Sequence, residues 1–269
     1  MNIPYNKKVI DEQQVIKDYE NGMSTPQLAK KYGYKTPKSI NDLLKRNGIQ
    51  PRKLIDAQHL RKGYSNLSLS VIDSEIKAYY IGLLLTDGYI MDSEEKHKHY
   101  IELTLEDEDV IMFLANYFNT NYYPVRKSQN VKTLYRFVLY GKELVNEIKR
   151  YGLIQAKTYV IGNLGLTKQE QKYISYIIRG CIDGDGWVRK DGKEFYICSA
   201  SKIFIEWIID SLKYLGFKEL ELKVQHNKGY NDIYLVRTAL KHNIDLLKTI
   251  IYDKPFGMNR KYNRVHQLA

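Results

Sequence analysis

Two stretches of nine residues, YIGLLLTDG at 80–88 and IRGCIDGDG at 178–186, carry one pattern, and that pattern limits what this chain can fold into. Each has a lone glycine (Gly82, Gly180) inside an apolar, helix-like run, and each ends on an acid followed by glycine (Asp87-Gly88, Asp185-Gly186). A glycine inside a helix costs about 1 kcal/mol against alanine. Its recurrence at one place predicts two backbones in close approach there. A carboxylate beside a C-terminal glycine belongs at an exposed helix end, next to carbonyls that have lost their intrahelical partners. Two such ends side by side offer the carboxylates of Asp87 and Asp185, with the carbonyls of Thr86 and Gly184, to a hard cation such as Mg²⁺. Either aspartate taken alone reads as an ordinary helix-end residue; the matched pair is what points to chemistry.

The repeat extends past the motif. The two acids lie 98 residues apart, room for one α/β unit per copy. Periodicity predicts a helix over 74–86, strands near 88–91 and 99–105, a helix near 108–118, strands near 121–127 and 132–140, and a helix near 141–151. The second half is expected to follow with a helix over 167–184, strands near 186–190 and 194–199, a helix over 201–215, strands near 219–226 and 231–236, and a helix over 239–251. The expected fold class is α/β (α+β), a pseudo-two-fold pair of αββαββα units whose strands form a saddle around the motif helices.

The two copies resemble the motif of the LAGLIDADG homing endonucleases, in the arrangement where both lie on one chain. Gly82 and Gly180 match the motif's third position, Asp87 and Asp185 its metal-binding eighth, and Gly88 and Gly186 its last; position six is Leu85 in one copy and Asp183 in the other. The resemblance covers roughly residues 74–269. It implies a monomeric, site-specific endonuclease that cuts both strands of a long asymmetric DNA site with Mg²⁺, Mn²⁺ or Ca²⁺ substituting for binding, and that promotes the spread of an intron or intein. It also implies a lysine near the end of each half that orders water or stabilises charge. Lys157 and Lys261 fall at such places, though either also reads as a phosphate-contacting lysine. Glu106, Ser199 and Ser201 are looser candidates to complete the site. The alternatives are a non-cleaving regulator or intron maturase on the same scaffold, and a nickase with one working site.

Charge adds a polyanion partner. Residues 1–62 carry 13 Lys/Arg against 6 Asp/Glu, while the other 207 carry 29 against 25, within a net charge of +11. The basic front end reads as three short helices. Ser24-Thr25-Pro26-Gln27 has capping-box spacing and Thr36-Pro37 opens a further helix, so 1–52 is expected as a helix-turn-helix domain with Lys38, Asn41, Lys45 and Arg46 turned outward to DNA; a purely structural three-helix bundle is the other reading. Residues 53–73 are expected as a basic linker, with Arg52 and Lys53 on phosphates, followed by units at 74–160 and 161–269. Arg126, Lys127, Lys132, Arg136, Arg189, Lys190, Lys223, Gln225, Lys228 and Arg237 are expected to meet DNA from strands or hairpin tips.

Cys181 and Cys198, the two cysteines, form no CxxC and read as small core residues, and the six histidines have no ligand spacing. With no apolar run near the ~20 residues of a membrane span, an intracellular setting is expected: cytoplasm or nucleoid of a bacterial or phage-infected cell, or an organelle.

Overall fold

Each motif opens a unit of the same make-up. The computed structural model describes residues 11–21, 23–52, 67–125, 132–155, 162, 164–226 and 231–268, and the chain divides into two compact units, Met1–Asn66 and Leu67–Ala269.

In the smaller unit, α1 (Glu12–Glu20), α2 (Thr25–Tyr32) and α3 (Pro37–Arg46) enclose Val15, Ile16, Tyr19, Leu28, Ile40, Leu43 and Leu44. The expected cap is present: the Ser24 side chain accepts from Gln27 N–H while the Gln27 side chain accepts from Ser24 N–H, with Pro26 in the first turn. Gly33, at φ +75°, turns the chain from α2 towards α3.

In the larger unit, α4 (Glu75–Thr86) carries the first motif. It leads through β1 (Gly88–Ser93), β2 (Lys98–Leu105), α5 (Glu108–Tyr117), β3 (Tyr122–Val125), β4 (Leu134–Tyr140) and α6 (Lys142–Ile148). The second half repeats this as α7 (Ile174–Asp185), β5 (Gly186–Val188), β6 (Phe195–Ser199), α8 (Lys202–Tyr214), β7 (Lys223–Gln225), β8 (Ile233–Thr238) and α9 (Lys241–Leu246). Both sheets are four-stranded and antiparallel, in the orders β1-β2-β4-β3 and β5-β6-β8-β7. The registers also match: Gly88 opposes Leu103 and Gly186 opposes Ile197. α4 is buried on all sides from Ala78 to Leu85 and α7 from Ile174 to Asp183, as expected of two helices that pack on each other inside a core.

Several expectations are corrected. Residues 67–73 belong to the larger unit, because Leu69 and Ile72 are buried and their N–H groups donate to Glu147 (2.6 Å) and Glu170 (2.9 Å). The helix expected over 167–184 begins as a 3-10 turn at Gln171–Tyr173, and the one over 239–251 continues past α9 as a π-helical turn, Leu247–Ile251. A last helix, α10 (Asn259–His266), was not expected: its sequence NRKYNRVH is too polar to show periodicity. Gly88 and Gly186 do not take left-handed caps. Each begins a strand, where a Cβ would come within 2.7 Å of the preceding helix, at Leu84 and Ile182 respectively.

Candidate active site and nucleic-acid interface

The site is built by two glycines. A Cβ on Gly82 would lie 2.9 Å from Gly180 Cα, and one on Gly180 would lie 2.8 Å from Gly82 Cα, with the carbonyls of Ile177 and Tyr79 closer still. This is the backbone approach that the repeat predicts, and the contact is reciprocal. It brings the C-terminal ends of α4 and α7 together. There a Cβ on Gly184 would sit 2.7 Å from Thr86 Cβ, and nearer to Thr86 Oγ1 and Asp87 Oδ2, so the Asp87 side chain abuts the residue before Asp185. Both aspartates are exposed. Both act on the buried Cys181 thiol, whose pKa burial pushes well up, with the two carboxylates adding to the shift.

The ends of the two helices differ. The Thr86 hydroxyl lies 3.0 Å from Leu83 O and 3.1 Å from Asp87 Oδ2, one proton between two acceptors. At α7, Lys261 is 2% exposed, and its Nζ donates to Ile182 O (2.6 Å), Asp183 O (2.7 Å) and Gly186 O (2.7 Å), with Gly184 O at 3.5 Å. All three protons are therefore committed to backbone carbonyls at and just past the end of α7. Lys261 is a buried cap of the motif helix, and burial lowers its pKa to about 8. It also puts an ammonium near Gly184 O, an oxygen expected to face a cation.

Asp183 is buried, with the charges of Arg179 and Lys261 acting on it and no salt bridge to either. It accepts from Tyr79 OH (2.8 Å), Tyr252 OH (2.6 Å) and Met258 N–H (3.2 Å), and burial pushes its carboxyl up. Arg179, also buried, donates to Lys254 O (2.8 Å) and Phe256 O and lies 4.2 Å from the Phe256 ring centre. Together these groups fasten residues 252–258 to α7 and to Tyr79 of α4. Glu170 fastens the junction of the halves: wholly buried, it accepts from Ile72 N–H, Thr167 N–H (2.9 Å), Thr167 OH (2.8 Å), Tyr151 OH (3.0 Å) and Arg150. Burial would raise its carboxyl pKa, but these donors hold it down at about 2.

The basic side chains fall into three groups. Lys190, Lys223 and Gln225 are exposed near or on the second sheet. The guanidiniums are held by acids: Arg136 lies 3.1 Å from Glu102 and 3.2 Å from Thr104 OH, while Arg189 (3.2 Å) and Arg237 both pair with Glu194, whose side chain is 8% exposed. Lys132 pairs with Glu106 at 2.8 Å, which engages that candidate acid in an exposed ion pair. On α3, Lys38 and Lys45 are exposed and Asn41 half-buried; Arg46 is exposed and pairs with Glu12 at 2.7 Å. Arg52 is committed inward: it donates to Met23 O and Tyr19 O and stacks 3.9 Å from the Tyr19 ring centre. Lys53, Arg126, Lys127, Lys157 and Lys228 lie outside the described residues. Ser201 is a helix cap, accepting from Phe204 N–H, and Ser199 accepts from Ser201 N–H. Cys198 is half-buried, not core, and stands one residue past Ile197 as Thr104 stands past Leu103; Asp185 and burial both raise its pKa. That matched position is readable only once the strand registers are known.

The geometry has a precedent in solved structures. The homing endonuclease I-WcaI, in a structure titled as bound to its DNA recognition sequence, superposes with a TM-score of 0.51 at 14% identity, covering 82% of this chain and 96% of that one. This chain has the LAGLIDADG homing-endonuclease fold. Two further similar structures are I-DmoI in complex with DNA and Ca (TM-score 0.48, 17% identity, 75% of this chain and 100% of that one) and full-length WhiA from Thermatoga maritima (0.43, 13%, 75% and 63%). No protein-family model and no curated protein matches the sequence. Among the described residues, no helix of this LAGLIDADG-fold chain is long and apolar enough to cross a membrane.

The donor set bears on a metal. Among the described residues no three His, Cys, Asp or Glu side chains cluster as ligands. The exposed carboxylates of Asp87 and Asp185 are oxygen donors of the kind a hard cation takes, with water and substrate oxygens left to complete its shell.

Proposed function

We propose that this protein is a site-specific DNA endonuclease that hydrolyses one phosphodiester on each strand of a long asymmetric site, acting as a monomer with a divalent cation, Mg²⁺ in the cell. The observation that carries the reading is the contact of Asp87 with Gly184, which joins two motif acids on two helices locked glycine to glycine. A bound cation at each acid supplies relief of charge on the scissile phosphate and a more acidic water. The chain's own residues do the rest. Asp87 and Asp185, with the carbonyls of Thr86 and Gly184, would each hold such a cation against one scissile phosphate near the seam between the halves; Thr86 orients Asp87, and Lys261 keeps the end of α7 from fraying. Arg136, Arg189 and Arg237, with Lys132, Lys190, Lys223 and Gln225, meet base edges and phosphates. In the smaller unit Lys38, Asn41, Lys45 and Arg46 lie on α3 and add major-groove or phosphate contact. Mobility of a host intron or intein belongs to the same reading.

The test is incubation of the full chain with a randomised duplex library, with Mg²⁺ or with chelator, followed by sequencing of the ends. Discrete staggered ends at one long site, lost on chelation, support the reading. Binding by gel shift with no cut under any divalent cation sinks it and leaves a DNA-binding regulator or a maturase.

A further inference from the structure

The two motifs differ at their seventh position, Thr86 in α4 and Gly184 in α7, and these two residues face each other. From this contact we infer that Gly184, in the second motif, is a positioning residue for Asp87, the acid of the first. The inference rests on the nuclease reading for its consequence but not for its geometry.

The space is filled by three atoms. Where Gly184 lacks a Cβ lie Thr86 Cβ, Thr86 Oγ1 and Asp87 Oδ2. Oδ2 is also the oxygen 3.1 Å from the Thr86 hydroxyl, and that hydroxyl is tied at 3.0 Å to Leu83 O. The carboxylate is thus set from two sides, by a hydroxyl anchored to its own helix and by the bare backbone of the other. Thr86 Cβ cannot swing away as a side-chain tip could, because it moves only with the helix backbone. Shifting that backbone means shifting the Gly82–Gly180 contact, which has no slack. Position seven of the first motif holds a threonine facing glycine; the reverse contact, a threonine of the second motif on a glycine of the first, does not exist. This contact on the first acid has no counterpart at position seven of the second motif, so a change at Gly184 reaches Asp87 directly.

Two measurements on the full chain test this. A double-mutant cycle in thermal stability uses Gly184→Ala, Thr86→Gly and the pair. Gly184→Ala is expected to lower Tm by several degrees, and Thr86→Gly, which removes both the Cβ and the hydroxyl, is expected to absorb most of that loss. Should Gly184→Ala alone fail to fold, a folded double variant is the rescue; additive losses, or a double variant that also fails to fold, overturn the contact. This cycle needs no DNA. The second measurement is strand-resolved nicking of the target, with Asp87→Asn marking the strand that Asp87 serves. Gly184→Ala is expected to slow that strand's cut by about a hundredfold, the scale of an ångström's misplacement at a reacting centre, and to slow the other strand's cut far less. Thr86→Gly on top relieves the crowding but also removes the hydroxyl that sets Asp87, so stability should return while that strand's cut stays slow. Equal slowing of both strands shows a merely structural role and overturns the inference. A wild-type protein that cuts no DNA removes the nuclease reading, and the stability cycle still decides the contact.

Discussion

The two halves of the larger unit share strand order, register and the glycine at their helix crossing, yet finish their motif helices by different chemistry. At the end of α7, Asp183 sits buried among the hydroxyls of Tyr79 and Tyr252, and the buried Lys261 gathers three backbone carbonyls. At the end of α4, Leu85 takes the place of Asp183, and Thr86 supplies a hydroxyl. The lesson is that pseudo-symmetry is strict where backbone meets backbone, since no side chain can adapt there, and lax where side chains can exchange one set of donors for another. The acids match; their supports do not.

The largest effect is expected from the acids. Asp87→Asn and Asp185→Asn should each cut the rate at one strand by roughly a thousandfold, the scale of losing a metal's charge stabilisation, with DNA binding retained. Strand-resolved gels should show the two variants leaving opposite strands intact, and the same strand surviving in both would break the comparison. Next comes the symmetric contact: Gly180→Ala drives a Cβ to 2.8 Å from Gly82 Cα and should cost about 3 kcal/mol in urea unfolding, at the upper end of overpacking losses. The cap on α7 ranks below it. Lys261→Met leaves the carbonyls of Ile182, Asp183 and Gly186 without their donor, for a loss of about 2 kcal/mol. Since this cap sits on α7, the strand served by Asp185 should suffer first.

The last effect, read only in acid, concerns the junction that both halves share. The Glu170 carboxyl, held at about 2 against an ordinary 4.5, keeps its charge in the folded protein at acidities where the unfolded chain has taken up a proton. Its contribution is fully present above pH 4.5 and is lost as pH falls from there towards 2. Urea midpoints followed through that window should fall less steeply for Glu170→Gln than for the wild type; parallel curves would remove Glu170 from the junction.

Much of this was legible in the sequence. The motif spacing and the alternation of Ile101, Leu103 and Leu105 gave both units, because burial on one face imposes a period that composition cannot hide. The glycine crossing was legible for the same reason, being the one residue whose presence in a helix demands an explanation. Supports made by single polar residues were not. Lys261 lies in a helix with only Tyr262 and Val265 as apolar residues, so nothing marked it as buried, and Glu170 stands in the polar run KQEQK. Arg52 was assigned by charge alone, and charge does not say whether a guanidinium turns to solvent or, as here, to the carbonyls ending α1. The seventh motif position acquires meaning only when the crossing point of the two helices is known.

Glu194 and Glu102 hold Arg189, Arg237 and Arg136 by charge pairs on the two sheets. An arginine leashed in this way adds little net attraction for DNA at a distance, since its partner acid cancels much of the field, but it arrives with its fork already aimed. Under the proposed function, such leashed arginines would weaken the hold on every wrong site and leave the fit at the right one almost untouched, so that scanning stays fast and stopping stays selective.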